Sequence, residues 1–287
     1  MSKVLITGAR GQLGIELLKH VPSGFEATGI DLAELDITDA SAVERYVDTL
    51  RPAAILNCAA YTAVDQAESE PHAAFAANRD GARHIAAAGQ RVRAKLVHVS
   101  TDFVFDGRKS APYLPEDAPN PLGVYGQSKL EGEQAVMAAT EGSALIVRTA
   151  WVYSAHGNNF VKTVLRLMQE RPALRVVADQ IGTPTAAASL ARALWALLRQ
   201  GAPAGIYHYT DAGAASWYDF ACAIRELAAP HLAKPLAPVT PIRTQDYPTP
   251  AQRPAYSVLD KTAAYARIGA AAHWREPLAA VIRELLA

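Results

Sequence analysis

Cysteine is scarce in this chain of 287 residues: only Cys58 and Cys222 occur, far apart and inside apolar segments. That excludes a disulfide scaffold and leaves two buried free thiols in a reducing compartment as the expectation. Net charge is missing too, since 28 basic residues balance 28 acidic ones and no block of like charge stands out. Nucleic-acid and membrane-surface binding therefore lack electrostatic support, and an anionic ligand must be met by a local cluster of cations. The eight histidines are scattered, without HExxH or paired CxxC spacing, so no metal site is expected from them. No apolar run approaches the ~18 residues of a membrane span. Met1-Ser2-Lys3 leads straight into a strand-like run rather than a signal peptide. What remains is a cytoplasmic enzyme or small-molecule binding protein.

What the chain has is apolar residues, half of the total, enough for one large domain or a main domain with a smaller lobe. Its first half alternates short apolar runs with helical patterns. Strands are expected at Val4–Ile6, Phe25–Asp31, Ala54–Asn57, Lys95–Ser100 and Ala144–Arg148. Helices are expected at about 39–50, 65–90 and from Val124 onward. Strands apolar on both faces alternating with helices predict a parallel, doubly wound sheet, an α/β fold. After about Ala150 the rhythm loosens. Helices are expected at Phe160–Gln169, Ala186–Gln200, Trp217–Ala228 and Pro277–Leu286, with strand-like pieces at Arg175–Val177 and Ile206–Tyr209. Seven prolines between Pro230 and Pro254 predict a mostly irregular segment, read as a loop that helps to close a substrate site.

Gly8-Ala9-Arg10-Gly11-Gln12-Leu13-Gly14 follows the first strand and opens the first helix. Glycines there permit a tight turn and close approach of backbone to a pyrophosphate, which the helix N-terminus favours. The spacing is GxxGxxG rather than GxGxxG, and three glycines alone also serve any tight strand-to-helix turn. Asp31 ends the second strand, where a carboxylate can bind the ribose hydroxyls of a dinucleotide or simply close a turn. Arg10 is near enough to meet a 2′-phosphate, so NADH and NADPH both stay open.

Tyr125-Gly126-Gln127-Ser128-Lys129 is the second signal. Residues i and i+4 of a helix share a face, so phenol and ammonium would enter one cleft. An ordinary tyrosine has a pKa of about 10. A neighbouring ammonium is expected to lower it toward useful acid–base strength. YxxxK by itself most often marks a surface helix. Here it follows Ser100-Thr101-Asp102, at the C-terminal end of the fourth strand, where open α/β sheets bind ligands.

These residues resemble the extended, tyrosine-dependent short-chain dehydrogenase/reductase superfamily, and within it the dTDP-4-dehydrorhamnose reductase family. The resemblance runs through nearly the whole chain. It includes TGARGQLG (Thr7–Gly14), LDITD (Leu35–Asp39), NCAAYTAVDQAE (Asn57–Glu68), VSTDFVFDG (Val99–Gly107), YGQSKLEGE (Tyr125–Glu133) and RTAWVY (Arg148–Tyr153). GNNF (Gly157–Phe160), DQIGTPT (Asp179–Thr185), GIYHYT (Gly205–Thr210), SWYDFA (Ser216–Ala221) and YPTPAQRPAYSVLD (Tyr247–Asp260) follow. It implies a Rossmann-type NAD(P)-binding domain over residues 1–150 that also receives part of 174–210. Residues 151–287 would then form mainly a smaller C-terminal substrate-binding lobe.

The implied activity is reduction of the C4 ketone of a dTDP-linked 4-dehydro-L-rhamnose, a step toward cell-surface polysaccharide, with NADPH or NADH as cofactor. Gly8, Gly11, Gln12, Leu13 and Gly14 would surround the pyrophosphate, Asp31 the adenosine ribose, and Asp36 and Ile37 the adenine. Ala60, Tyr61, Thr62 and Val99 would line the rest of the cofactor. Tyr125 would be the general acid, Lys129 would bind the nicotinamide ribose and tune Tyr125, and Thr101 would bond the sugar carbonyl. Asp102 and Trp151 would contact the sugar nucleotide, and Arg253 its pyrophosphate. Without the resemblance Trp151 reads as a core aromatic and Arg253 as a solvated loop cation. Another nucleotide-sugar reductase or epimerase, or a non-catalytic regulatory subunit of this fold, stands as the alternative; intact Thr101, Tyr125 and Lys129 speak against the subunit.

One departure matters. Some members dimerise around a magnesium ion held by glutamates, one of them in the helix after DQxGxPT. Here that stretch reads Thr185-Ala186-Ala187-Ala188-Ser189-Leu190, without an acid. A magnesium-linked dimer is not expected; a monomer or a metal-free homodimer is.

Overall fold

Val4, Leu5 and Ile6 are all fully buried although they point to alternate faces of one strand, as a sheet covered by helices on both sides requires. The computed structural model describes residues 1–287. The chain opens with β1 (Ser2–Thr7), α1 (Gln12–Lys19), β2 (Phe25–Ile30), α2 (Ala40–Leu50) and β3 (Ala54–Asn57). Three helical pieces follow, α3 (Val64–Ala67), α4 (Pro71–Phe75) and α5 (Ala82–Arg91), with a π-helical turn at Ala76–Gly81 before the last. Then come β4 (Lys95–Thr101), α6 (Val124–Ala139) and β5 (Leu145–Thr149). The second half comprises β6 (Val152–Tyr153), α7 (Phe160–Glu170), β7 (Leu174–Val177), β8 (Ile181–Gly182), β9 (Thr185–Ala186) and α8 (Ala187–Arg199). It ends with β10 (Gly205–His208), β11 (Ala215–Ser216), α9 (Trp217–Ala228), β12 (Val239–Ile242), α10 (Thr262–Ile268) and α11 (Arg275–Leu286).

Six parallel strands form the main sheet in the order β2-β1-β3-β4-β5-β10. On one face Val4, Ile6, Leu56 and Val97 pack with Leu17 of α1 and Leu194 and Trp195 of α8. On the other, Leu5, Ile55 and Leu96 pack with Val43 of α2, Ile85 of α5 and Val136 of α6. A separate core unites α7, α9 and α11 around Phe220, Ile224, Val164 and Leu278. β2 and β3 flank β1 on opposite sides, so the order in which strands are added to the sheet reverses there. The crevice outside the strand ends at such a point is the natural ligand site.

Two expectations are corrected and one is refined. The helix read over 65–90 is broken, because Pro71 has no N–H to continue α3 and instead starts α4. The segment rich in proline is mostly irregular, as expected, apart from one short strand: β12 pairs in parallel with β7, and its Pro241 is tolerated because β12 has a neighbour on one side only. The strand at Leu174–Val177 therefore joins this small ladder and not the main sheet. Finally, Cys58 and Cys222 are half-buried, Cys58 lying just past the end of β3 at the crevice.

Candidate active site

A cleft of about 1030 Å³ crosses the C-terminal ends of β1, β3, β4 and β5 and extends over the second core. Every residue named above as a site residue lines it.

At one end is the glycine turn. Gly8 has φ +67°, and a Cβ there would stand 2.8 Å from the backbone nitrogen of Ala59, past the end of β3. The first turn of α1, with Gly11 at its N-cap, thus opens against the crevice with no side-chain cap of its own. Free N–H groups at a helix start attract an anion. Gln12 also reaches across the cleft: its Oε1 accepts from Ser154 Oγ at 3.1 Å and Asn159 Nδ2 at 2.9 Å. Asp31 is fixed at the end of β2 by the backbone N–H groups of Arg10 and Leu32, both at 2.8 Å. The Arg10 guanidinium is not free; it pairs with Glu34. Asp36 and Ile37 line the cleft beyond Asp31.

The middle of the cleft is built by Ala60-Tyr61-Thr62 on one side and α6 on the other. Asn78, in the π-helical turn, donates to Tyr61 O (3.0 Å) and Ser128 Oγ (2.9 Å) and accepts from Tyr61 N (2.8 Å). Ser128 Oγ in turn donates to Tyr125 O at 2.8 Å. One buried amide therefore spaces the loop from the helix, although in sequence it is only a polar residue in a helical run. α6 has no cap of its own either: Val124 N donates to Glu68 Oε1, 2.9 Å away. Gly126 lets α6 approach the turn after β4, since a Cβ there would stand 2.2 Å from Phe103 O. This brings Tyr125 beside Thr101, itself the N-cap of that turn through Phe103 N at 3.2 Å.

Lys129 is buried, and its Nζ donates to Val99 O at 2.7 Å. Burial lowers its pKa to about 8, against the opposing pull of Glu133. The Tyr125 phenol moves the other way from the expectation: burial pushes it up to about 12, and the Thr101 hydroxyl offsets this only in part. Desolvation of a phenolate dominates, and the Asp102 carboxylate adds to it, so near neutral pH Tyr125 is a protonated group, suited to giving a proton. Asp102 is buried as well; its Oδ1 accepts from Thr101 Oγ1 at 3.1 Å, Oδ2 makes no hydrogen bond, and burial raises its pKa to about 6.

Trp151, Trp217, Phe160 and Arg253 also line the cleft. Arg253 is no solvated cation: Asp65 of α3 holds it bidentately at 3.0 and 2.7 Å, and Thr249 Oγ1 accepts from it at 2.6 Å. Asp65, Asn78, Glu68, Asn159 and Trp217 were not singled out from the sequence, because each acts through a partner distant in the chain.

Magnesium does not fit this chain. Ala188 of α8 lines a smaller cavity of about 300 Å³ with Glu16 and Glu284, but Lys19 Nζ already lies 3.5 and 3.6 Å from those carboxylates. No group of three or more His, Cys, Asp or Glu side chains is placed to hold a metal ion. No helix is long and apolar enough to cross a membrane.

Residues 2–287 match the family described as the RmlD substrate binding domain. The chain is 46% identical over 270 residues to a dTDP-4-dehydrorhamnose reductase of Aggregatibacter actinomycetemcomitans, covering 91% of this chain and 92% of the relative. A crystal structure of a dTDP-4-dehydrorhamnose reductase from Clostridium acetobutylicum superposes with a TM-score of 0.94 at 40% identity, covering 99% of this chain and 100% of that one. One from Bacillus anthracis, in complex with NADP, gives a TM-score of 0.93 at 40% identity and covers 99% of each chain.

Proposed function

The chain belongs to the RmlD substrate binding domain family, and from that premise we propose how it reduces the C4 ketone of dTDP-4-dehydro-L-rhamnose to dTDP-L-rhamnose. It is an NAD(P)H-dependent oxidoreductase with a Rossmann-type doubly wound sheet. The observation that carries the mechanism is the protonated, half-buried Tyr125 beside Thr101, with buried Lys129 one helical turn away.

The nicotinamide cofactor, when bound, supplies the hydride; the chain supplies position and a proton. Tyr125 Oη gives its proton to the C4 oxygen as negative charge develops there, and the Thr101 hydroxyl, turning away from Asp102 Oδ1, donates a hydrogen bond to the same atom. Lys129 carries an ammonium to the nicotinamide ribose and favours the phenolate left behind. Gly8, Gly11, Gln12, Leu13 and Gly14 receive the pyrophosphate, Asp31 the adenosine ribose, and Asp36 and Ile37 the adenine. Ala60, Tyr61, Thr62 and Val99 flank the remainder. Asp102, with an unpaired acceptor oxygen, meets a sugar hydroxyl, while Trp151 packs on the sugar and Arg253 takes the substrate pyrophosphate. Residues 1–150, with α8 and β10, make the cofactor domain, and the rest of 151–287 makes the substrate lobe.

The reaction belongs in the cytoplasm, where nicotinamide cofactor is regenerated, and a metal-free monomer suffices for it. The test is oxidation of NADPH by the purified protein with the keto-sugar nucleotide generated in place by upstream enzymes. Turnover dependent on that substrate supports the reading, whereas a regulatory subunit of the same fold gives none.

A further inference from the structure

Two segments singled out in the sequence have had no role so far, DQIGTPT and SWYDFA, and both meet the tryptophan of RTAWVY in space. β6 pairs with β9, Val152 opposite Thr185, and Thr185 N donates to Trp151 O at 3.2 Å. β8 pairs antiparallel with β11, Gly182 opposite Ala215. Trp217 is the next residue after β11, and the reciprocal bonds between Ser216 and Asp219 fix it at the start of α9. The two short ladders thus aim two tryptophans at one place.

There the Trp151 and Trp217 rings stack with centroids 3.5 Å apart and planes 7° from parallel, and Phe160 lies 4.6 Å from Trp217. Gly182 completes the arrangement: a Cβ on it would stand 2.6 Å from the Trp151 indole. Trp151 itself has φ +49°, a left-handed conformation that bulky side chains rarely take and that persists only where the surroundings over-determine it. All three aromatics line the cleft.

We propose that Trp217 is a positioning residue for the sugar nucleotide: with Gly182 it holds Trp151 in its strained pose, so that the aromatic wall stands ready for the apolar face of a deoxy-hexose. The inference rests on the reductase reading above. Glycine at 182 is then a substrate-site feature, reserved for an indole that comes from another segment. A preformed aromatic surface avoids the cost of ordering it during binding, so its loss is felt in substrate affinity.

The test uses the keto-sugar nucleotide generated in place, with NADPH, on the wild-type protein and on Trp217→Ala, Trp217→Phe and Gly182→Ala. Trp217→Ala and Gly182→Ala should each raise KM for the sugar nucleotide by about two- to tenfold, the span expected of one aromatic pair. KM for NADPH should stay at the wild-type value, and Trp217→Phe should recover most of the loss. If Trp217→Ala does not fold, Gly182→Ala decides alone, since it removes no side chain from the core. Native KM for the sugar nucleotide in a folded Gly182→Ala, or a parallel rise in KM for NADPH, overturns the inference. Failure of the reductase reading shows separately, as a wild-type protein without turnover, and it removes this inference too.

Discussion

Asp65 holds the Arg253 guanidinium with both carboxylate oxygens, at 3.0 Å to Nη1 and 2.7 Å to Nη2, and so ties the 247–254 loop to the helix that follows the cofactor loop. The guanidinium beside it keeps the Asp65 pKa below the usual carboxylate range. Arg253 thereby lines the cleft in one orientation, with donors left over for a phosphate. Arg253→Ala should weaken sugar-nucleotide binding by about 1.5–3 kcal/mol, as for a lost charge-assisted hydrogen bond. Cofactor affinity should hardly change. Calorimetry with dTDP and with NADPH reads both, and an equal loss for the two would mean that the loop serves the cofactor.

The pH profile follows from Lys129. Its pKa is about 8, so the ammonium is present below that value and lost as pH rises through it, whereas Tyr125 keeps its proton up to about 12. In the direction of reduction, kcat/KM should therefore fall as pH passes about 8. A profile flat to pH 10 would show that Lys129 stays charged in the working enzyme.

Under the proposed function, cofactor choice should turn on Arg10. Asp31 suits a free 2′-hydroxyl, and Arg10 can offset a 2′-phosphate once it leaves Glu34. Both NADH and NADPH should work. Arg10→Ala should raise KM for NADPH more than for NADH, and Glu34→Ala should lower it for NADPH. Equal effects on the two cofactors would mean that this pair does not reach the ribose.

Much of this was legible beforehand because the information is local. The six strands of the sheet announce themselves as short apolar runs, and the i, i+4 spacing of Tyr125 and Lys129 puts both on one face of α6. What stayed hidden depends on pairing across the chain. Asp65 reads as an ordinary helix acid until Arg253, 188 positions later, closes on it. Pro241 argues against a strand until β7 is seen to be its only neighbour. The upward shift of Tyr125 is hidden for a related reason: the ammonium at i+4 is visible in a sequence, whereas the burial that raises the phenol is not.

Divalent metal should be dispensable. With Lys19 between Glu16 and Glu284, and alanines opening α8, EDTA should change neither the mass in solution nor turnover. Light scattering with and without chelator checks this; a chelator-sensitive dimer would place the ligands elsewhere.

The central claim is that the proton comes from Tyr125, and Tyr125→Phe tests it by removing one hydroxyl and little else. Lys129→Met should cost both rate and cofactor affinity, and Thr101→Val, nearly isosteric, should cost less rate than either. The deciding number is kcat of folded Tyr125→Phe on the keto-sugar nucleotide with saturating NADPH. A loss of about 10²–10⁴-fold, or more, with NADPH binding intact is the result the account predicts. Near-native kcat in that protein would mean that another group gives the proton, and would contradict it.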